Sequence, residues 1–262
     1  MPTAQDWKPT VIDTRDEHAQ FESLRHLTNG DTAVVVLRNL FPADYVADQA
    51  ARIRKLLVDA DTAQLLGAPL TDFLDETDSY HERADQAREA LDRAGFDLQA
   101  RAREALRESF GLSSVEVAVE DGEGAFGEAV LRARTPESAS WLASHNIMRE
   151  GDGTNIALTY LAYQLQCVVV ADSAADGGEL LVHDRAWEPG DEAHRTADGA
   201  GCAESVVEGA HTDRYAPRDG DVILFNPDWY HRITPVSTGE LVTVEFSLGF
   251  RDDLLDYAVT WA

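Results

Sequence analysis

The run Gly220-Asp221-Val222-Ile223-Leu224-Phe225 is apolar after its second residue and stops at Asn226-Pro227. A turn carrying two aromatics, Asp228-Trp229-Tyr230, follows, and His231 opens a second run, His231-Arg232-Ile233, that reaches Thr234-Pro235-Val236. Proline has no N–H to give to a β-ladder and fixes its own φ, so it ends a strand or sets a turn. The stretch therefore predicts a strand, a tight turn and a second strand, with His231 near that strand's opening. A neutral imidazole on a rigid strand end suits a transition metal. The competing reading is a capped structural histidine.

The rest of the chain sorts into an α-rich start and a β-rich remainder. Residues 32–37 read as a buried strand. Phe41-Pro42-Ala43-Asp44 opens a helix that runs to about Leu57, because proline and an acidic residue both favour a first turn. Residues 79–110 are charge-rich with Ala87, Leu91, Ala94 and Leu98 at helical spacing, and Gly95 splits them into two helices. After Val115 the period shortens to β runs at 115–120, 128–134, 158–170, 179–183, 221–226 and 241–248. That order predicts an α+β chain whose later half is a barrel or sandwich. The Gly/Ala/acid-rich segment 188–218 reads as a long loop: a lid over the barrel mouth, a partner-binding segment or a partly disordered one. Gly177-Gly178 is a hairpin turn and not a phosphate cradle, since no helical pattern follows.

Bulk properties narrow the partners. The 262 residues are enough for one medium domain with a large core. A formal net charge of −26 opposes binding to nucleic acid or to an anionic membrane. Cys167 and Cys202 show no paired spacing, which argues against a disulfide framework and fits a reducing cytoplasm. There is no 18-residue apolar run, and Met1 to Asp6 has no basic and apolar leader pattern. The expected location is cytoplasmic and the expected partner is a small molecule, with a homodimer left open.

Three stretches carry a resemblance. Val130-Leu131-Arg132-Ala133-Arg134-Thr135-Pro136 leads to Ser144-His145. Gln164 to Val170 precedes Asp176-Gly177-Gly178-Glu179-Leu180 and Asp184-Arg185-Ala186-Trp187. The opening stretch continues into Val242-Thr243-Val244-Glu245-Phe246-Ser247-Leu248-Gly249-Phe250-Arg251. Together they resemble the iron(II)- and 2-oxoglutarate-dependent oxygenases, in particular the small bacterial group of free-amino-acid halogenases and hydroxylases. The resemblance covers roughly the C-terminal half. It implies a double-stranded β-helix, the jelly-roll or cupin-like barrel, with an N-terminal helical layer. The expected organisation is a single domain over 1–262, with a helical cap over about 1–112 and a jelly-roll core over about 113–262.

The resemblance also implies a site, with Fe(II) and 2-oxoglutarate as cofactors. His145 and His231 would be the metal ligands. In that family the first histidine belongs to a His-x-Asp pair on a strand, and the halogenases carry Gly or Ala at the Asp position so that halide fills the space. Here the sequence is His145-Asn146-Ile147, which matches neither pattern. The arginine expected about ten residues after the second histidine is Leu241, although Thr243 fits the hydroxyl expected two residues later. His183 is a candidate third ligand, and Glu150 or Asp152 could fold back toward the metal, although strand parity would set Glu150 on the opposite face. Thr243 and Arg251 are candidates for cosubstrate binding; Arg132, Arg134 and Arg185 offer carboxylate anchors from other directions. Ile147, Trp229 and Glu245 are expected at the substrate pocket. His18, His26, His81, His194 and His211 have no supporting pattern.

The implied activity is oxidative C–H activation on an amino acid or similar small polar molecule: hydroxylation, desaturation, ring closure or halogenation. Two alternatives explain Ile147 and Leu241 differently. One is an oxygenase fold that has lost its chemistry and serves as a binding or regulatory partner. The other is metal-dependent catalysis without 2-oxoglutarate.

Overall fold

The computed structural model describes residues 7–16, 19–60, 64–197 and 201–262. Two facing sheets organise it. The larger runs Thr10–Asp13, Val34–Arg38, Val222–Phe225, Tyr163–Asp172, Leu241–Phe250, Tyr257–Trp261, Ser114–Val117, and Val130–Arg134 also pairs with Leu241–Phe250. The smaller contains Thr212–Tyr215, Leu180–Ala186 and Trp229–Ile233 in that order. Ala143 bridges His231 and so brings the segment before His145 to the edge of the smaller sheet. Together these make a double-stranded β-helix within an α+β fold.

Strand alternation explains why the central strands read as unbroken apolar runs. Successive side chains point to opposite faces, and both faces of the large sheet are covered. Along Tyr163–Asp172, Leu165, Cys167, Val169 and Ala171 enter the core shared with the helices. Val168 and Val170, on the other face, enter the core between the sheets. The same inner face carries Gln164 and Gln166, which a purely structural strand would not need.

Four helices cover the outer face. α1 is Phe21–Thr28, α2 is Ala43–Asp59, α3 is Thr77–Ala94 and α4 is Leu98–Phe110. α2 begins directly after Pro42 and buries Val46, Ala50, Ile53 and Leu57 at three- and four-residue spacing. α3 ends at Gly95, whose φ of 59° is left-handed, so the residue expected to split two helices does so as a C-cap.

A buried polar cluster ties the two sheets together. Asp221 is fully buried and accepts from Arg38 Nε at 3.0 Å and from the Tyr215 hydroxyl at 2.6 Å. Arg38 belongs to the large sheet and Tyr215 to the small one.

Several elements differ from the sequence expectation. Residues 157–160 form a 3-10 turn, so the strand begins at Tyr163 and not near 158. α1, Thr10–Asp13 and Tyr257–Trp261 were not anticipated. The 188–218 segment contains two 3-10 turns, Pro189–His194 and Glu204–Val207, and the strand Thr212–Tyr215. Val206 and Val207 pack with Leu142 and Tyr230 on the outer side of the small sheet. The segment is therefore docked structure, and none of its described residues lines the cavity between the sheets.

Among the described residues, no helix is long and apolar enough to cross a membrane.

Candidate metal centre

The strand–turn–strand motif fixes both histidines through the backbone. His231 N–H donates to Ala143 O at 2.9 Å, and Ala143 N–H donates to His231 O at 2.9 Å. One step on, His145 N–H donates to Pro227 O at 2.8 Å. The Ser144 hydroxyl donates to Asp228 O at 2.9 Å, and Arg149 Nη1 reaches Asp228 Oδ1 at 2.7 Å. The turn after Phe225 and the segment around His145 are thus held as one unit. The two imidazoles lie with ring centroids 6.0 Å apart.

His231 is prepared as a ligand. Its Nδ1 lies 2.8 Å from Trp229 O, and a carbonyl can only accept, so this bond sets Nδ1 as the protonated nitrogen. Nε2 keeps its lone pair. Burial first, and then the neighbouring His145, push the pKa of His231 down to about 3, so the ring stays neutral. Phe225 packs edge-on against it at 4.8 Å. His145 is different: its side chain is 46% exposed, at the open side of the same cavity.

That cavity has a volume of about 330 Å³. Its wall includes Arg132, Arg134, Gln164, Gln166, Glu245 and Ser247. These residues occupy alternate positions on three adjacent strands, which puts them all on the inner face. Arg134 Nη1 donates to Glu245 Oε1 at 2.6 Å and to Thr243 Oγ1 at 3.2 Å. Arg132 Nε donates to Glu245 Oε2 at 3.2 Å, and the Thr243 hydroxyl donates to Glu245 Oε1 at 2.7 Å. Burial alone would raise the Glu245 pKa; the charges of Arg134 and Arg132 with these hydrogen bonds outweigh it and bring it down to about 2. Two guanidiniums against one carboxylate leave one positive charge in the wall.

The structure brings together His145, His231, Ile147 and Glu245 at the cavity, with Thr243 fully buried behind Arg134. Ile147 reaches it by an unexpected route. Residues Ile147–Glu150 form a short helix, α5, with the Asn146 side chain accepting from Met148 N–H at its start. His145 and Ile147 therefore do not share a strand face as parity had suggested. Ile147 is 1% exposed, packs among Leu70, Tyr80, Ile156 and Trp261, and donates its N–H to Gln164 Oε1 at 2.8 Å.

Other candidates lie elsewhere. Val182 is the direct cross-strand partner of His231, so His183 points to the opposite face of the small sheet. There its Nδ1 lies 2.8 Å from Thr212 Oγ1, and burial lowers its pKa. It cannot complete the His145–His231 pair. Arg251 is exposed beyond the end of its strand and does not line the cavity. Trp229 packs on Trp7 with centroids 5.4 Å apart, and it too is absent from the cavity wall. Arg185 is bound to Asp191 by two contacts of 3.0 Å. His18 lies outside the described residues. Among the described residues, no group of three or more His, Cys, Asp or Glu is arranged to hold a metal. The protein donors that fit are the imidazoles of His145 and His231.

Sequence reasoning weighed Arg132 and Arg134 but overlooked Gln164, Gln166 and Ser247. The available signal was polar residues at every second position of otherwise apolar strands.

The family model of the carrier-protein-independent halogenase WelO5 matches residues 10–244. The chain belongs to that family. The family is one of non-haem iron, 2-oxoglutarate-dependent enzymes, so the chain is an oxidoreductase whose cofactors are iron(II) and 2-oxoglutarate. A curated relative, leucinostatins biosynthesis cluster protein S of Purpureocillium lilacinum, is 26% identical over 174 residues, covering 63% of this chain and 69% of that protein. Among solved structures, an N-substituted L-amino acid dioxygenase from Burkholderia ambifaria AMMD superposes with a TM-score of 0.61 at 14% identity, covering 92% of this chain and 91% of that one. Its complex with alpha-KG gives a TM-score of 0.58 at 15% identity, covering 92% and 90%. At these identities the likeness is one of fold. The coarse function that follows from the family is oxygenase- or halogenase-type chemistry.

Proposed function

We propose that the chain oxidises a C–H bond of an amino-acid-like, small polar metabolite, with iron(II) held by Nε2 of His145 and His231. The observation that carries this reading is the pairing of two backbone-locked imidazoles with a cationic wall in one cavity. Iron bound there with 2-oxoglutarate supplies the oxygen-activating chemistry of the family.

The chain's own residues would divide the remaining work. His231 stays neutral through burial, so protons do not compete for its lone pair near neutral pH. Arg134, beside Thr243, offers its guanidinium to the far carboxylate of 2-oxoglutarate, while Glu245 holds both arginines in place. Gln164, Gln166 and Ser247 provide neutral hydrogen-bonding groups, and Phe225, Val168 and Leu180 limit water. Ile147 stands in the sequence where the halogenases of the resembled group carry Gly or Ala, and its side chain donates nothing to a metal. We therefore favour hydroxylation, desaturation or ring closure over halogenation.

A second reading is an oxygenase fold that binds small molecules without turning them over. It is favoured by one observation: Glu245, the carboxylate in the cavity wall, is committed to two arginines. One experiment separates the two. Protein purified without oxygen is titrated with iron(II), then with 2-oxoglutarate, and oxygen-dependent succinate release is measured with a panel of amino acids. Succinate release lost in His231→Gln but retained in His183→Gln supports the enzyme. Tight 2-oxoglutarate binding with no succinate under any condition supports the binding protein.

A further inference from the structure

The carboxylate expected two residues after His145 is missing, yet another carboxylate sits behind that histidine. α5 turns the chain back on itself: Glu150 N–H donates to Asn146 O at 2.8 Å, which brings residue 150 against residue 145. Glu150 Oε1 lies 3.4 Å from His145 Nδ1. Its other oxygen, Oε2, is buried without a hydrogen-bond partner, although the side chain is only 12% exposed. A buried carboxylate oxygen with no donor is costly, and such groups mark places where a partner is expected.

Arg149 is the competing partner. Its Nη2 donates to Glu150 Oε1 at 3.4 Å and to Ser144 O at 2.9 Å, Nη1 donates to Asp228 Oδ1 at 2.7 Å, and Nε is buried without a partner. The guanidinium is engaged in joining the His145 segment to the turn before His231. Glu150 Oε1 is thus shared between Arg149 and the His145 ring, each 3.4 Å away, while Oε2 has no donor.

We infer that Glu150 is the positioning residue of the metal centre: it holds His145 with Nδ1–H toward itself and Nε2 toward the cavity, and supplies from behind the ring the negative charge that Ile147 withholds. The inference rests on the metal reading given above. Two imidazole ligands bring no negative charge to a divalent cation. A carboxylate on the remote nitrogen of a ligating histidine fixes the tautomer and increases the basicity of the ligating nitrogen. Glu150 does not line the cavity, so this charge is delivered without occupying a coordination position.

The test uses the full chain and cobalt(II) as the probe. Proton–nitrogen correlation spectra of the histidine rings in the metal-free protein report the tautomer of His145, assigned with a His145→Asn variant. The wild type should show Nδ1–H, and Glu150→Ala should lose that preference. Cobalt(II) affinity should fall by about 10–100-fold in Glu150→Ala and Glu150→Gln, with partial recovery in Glu150→Asp. An unchanged tautomer together with unchanged cobalt(II) affinity would overturn the inference. So would a loss of melting temperature in Glu150→Ala with His145 unaltered, since Glu150 would then serve Arg149 alone. Wild-type protein that takes up no cobalt(II) overturns the metal reading and with it the charge-supplying role, while the ring spectra still decide the orienting role.

Discussion

Arg134 and Leu241 are direct cross-strand partners, so their side chains leave the large sheet on the same inner face. Leu241 occupies the position where the resembled oxygenases carry the cosubstrate arginine. The guanidinium missing from one strand is therefore present on its neighbour, with Thr243 still beside it at 3.2 Å. A charge can move one strand sideways and still enter the same space, because register and parity are shared across the pair.

This relationship predicts the effect of Arg134→Leu. Hydrogen bonds to charged groups are each worth roughly 1.5–3 kcal/mol, so losing one should raise the 2-oxoglutarate Kd by about 10–100-fold. Glu245→Gln should act in the opposite direction, because it frees both guanidiniums. Calorimetric titration of the two variants checks the signs. An Arg134→Leu protein that binds 2-oxoglutarate as the wild type does would place the anchor elsewhere.

Glu245 also sets an acid limit on stability. Its folded pKa of about 2 lies below the ordinary carboxylate value of 4.5. The group thus contributes stability that is complete above pH 4.5 and is lost as pH falls through about 2. The gap corresponds to roughly 3 kcal/mol at neutral pH. Wild type and Glu245→Gln should differ by about that much in urea unfolding at pH 7. The difference should shrink steadily as the pH is lowered from 4.5 toward 2. A difference that stayed constant down to pH 2 would show that the two arginines do not hold the carboxylate ionised.

Asp221 predicts a purely structural cost. It is fully buried, and Arg38, Tyr215 and the Arg218 N–H all donate to it. Removing one member of a buried ion pair leaves the other uncompensated and costs about 3–5 kcal/mol. Asp221→Asn should lower the melting temperature sharply. Cobalt(II) affinity measured below the melting transition should stay close to wild type, since Asp221 precedes the strand Val222–Phe225 and the turn leading to His231 leaves that strand's other end. A variant that loses metal binding while still folded would couple this cluster to the site.

The framework was legible in the sequence because its signals are local. The Asn226-Pro227 stop, the restart near His231 and the apolar runs read at 158–170 and 241–248 are all visible in short windows. So is the helix break at Gly95. What sequence reading could not reach depends on register and on short irregular turns. His183 faces away because Val182, and not His183, pairs with His231, and that pairing joins residues 49 positions apart (231 − 182). Glu150 folds back because four residues make a helical turn where strand parity had been assumed. Asn146, a favoured helix N-cap, was the clue to that turn. The short strand Thr212–Tyr215 was hidden because 188–218 reads as loop by composition, and only its pairing with Leu180–Ala186 reveals it.

Ile147 gives the sharpest test of whether the altered centre is specialised or lost. It touches two environments: the cavity shared with His145 and His231, and the apolar cluster of Leu70, Tyr80, Ile156 and Trp261. Ile147→Asp would place a carboxylate in that cluster, and without a metal it has no cation to pair with. The metal-free variant should therefore be destabilised by several kcal/mol or should bind a proton to remain folded. If the two histidines hold a metal, the new carboxylate neutralises part of its charge, and the rise in melting temperature on adding cobalt(II) should exceed that of the wild type. Melting curves with and without cobalt(II) separate the outcomes. A larger metal-dependent rise in the variant identifies position 147 as the vacated ligand position. Equal destabilisation in both conditions would mean that residue 147 packs against the cluster alone, and that this centre works with two histidines and the charge behind His145.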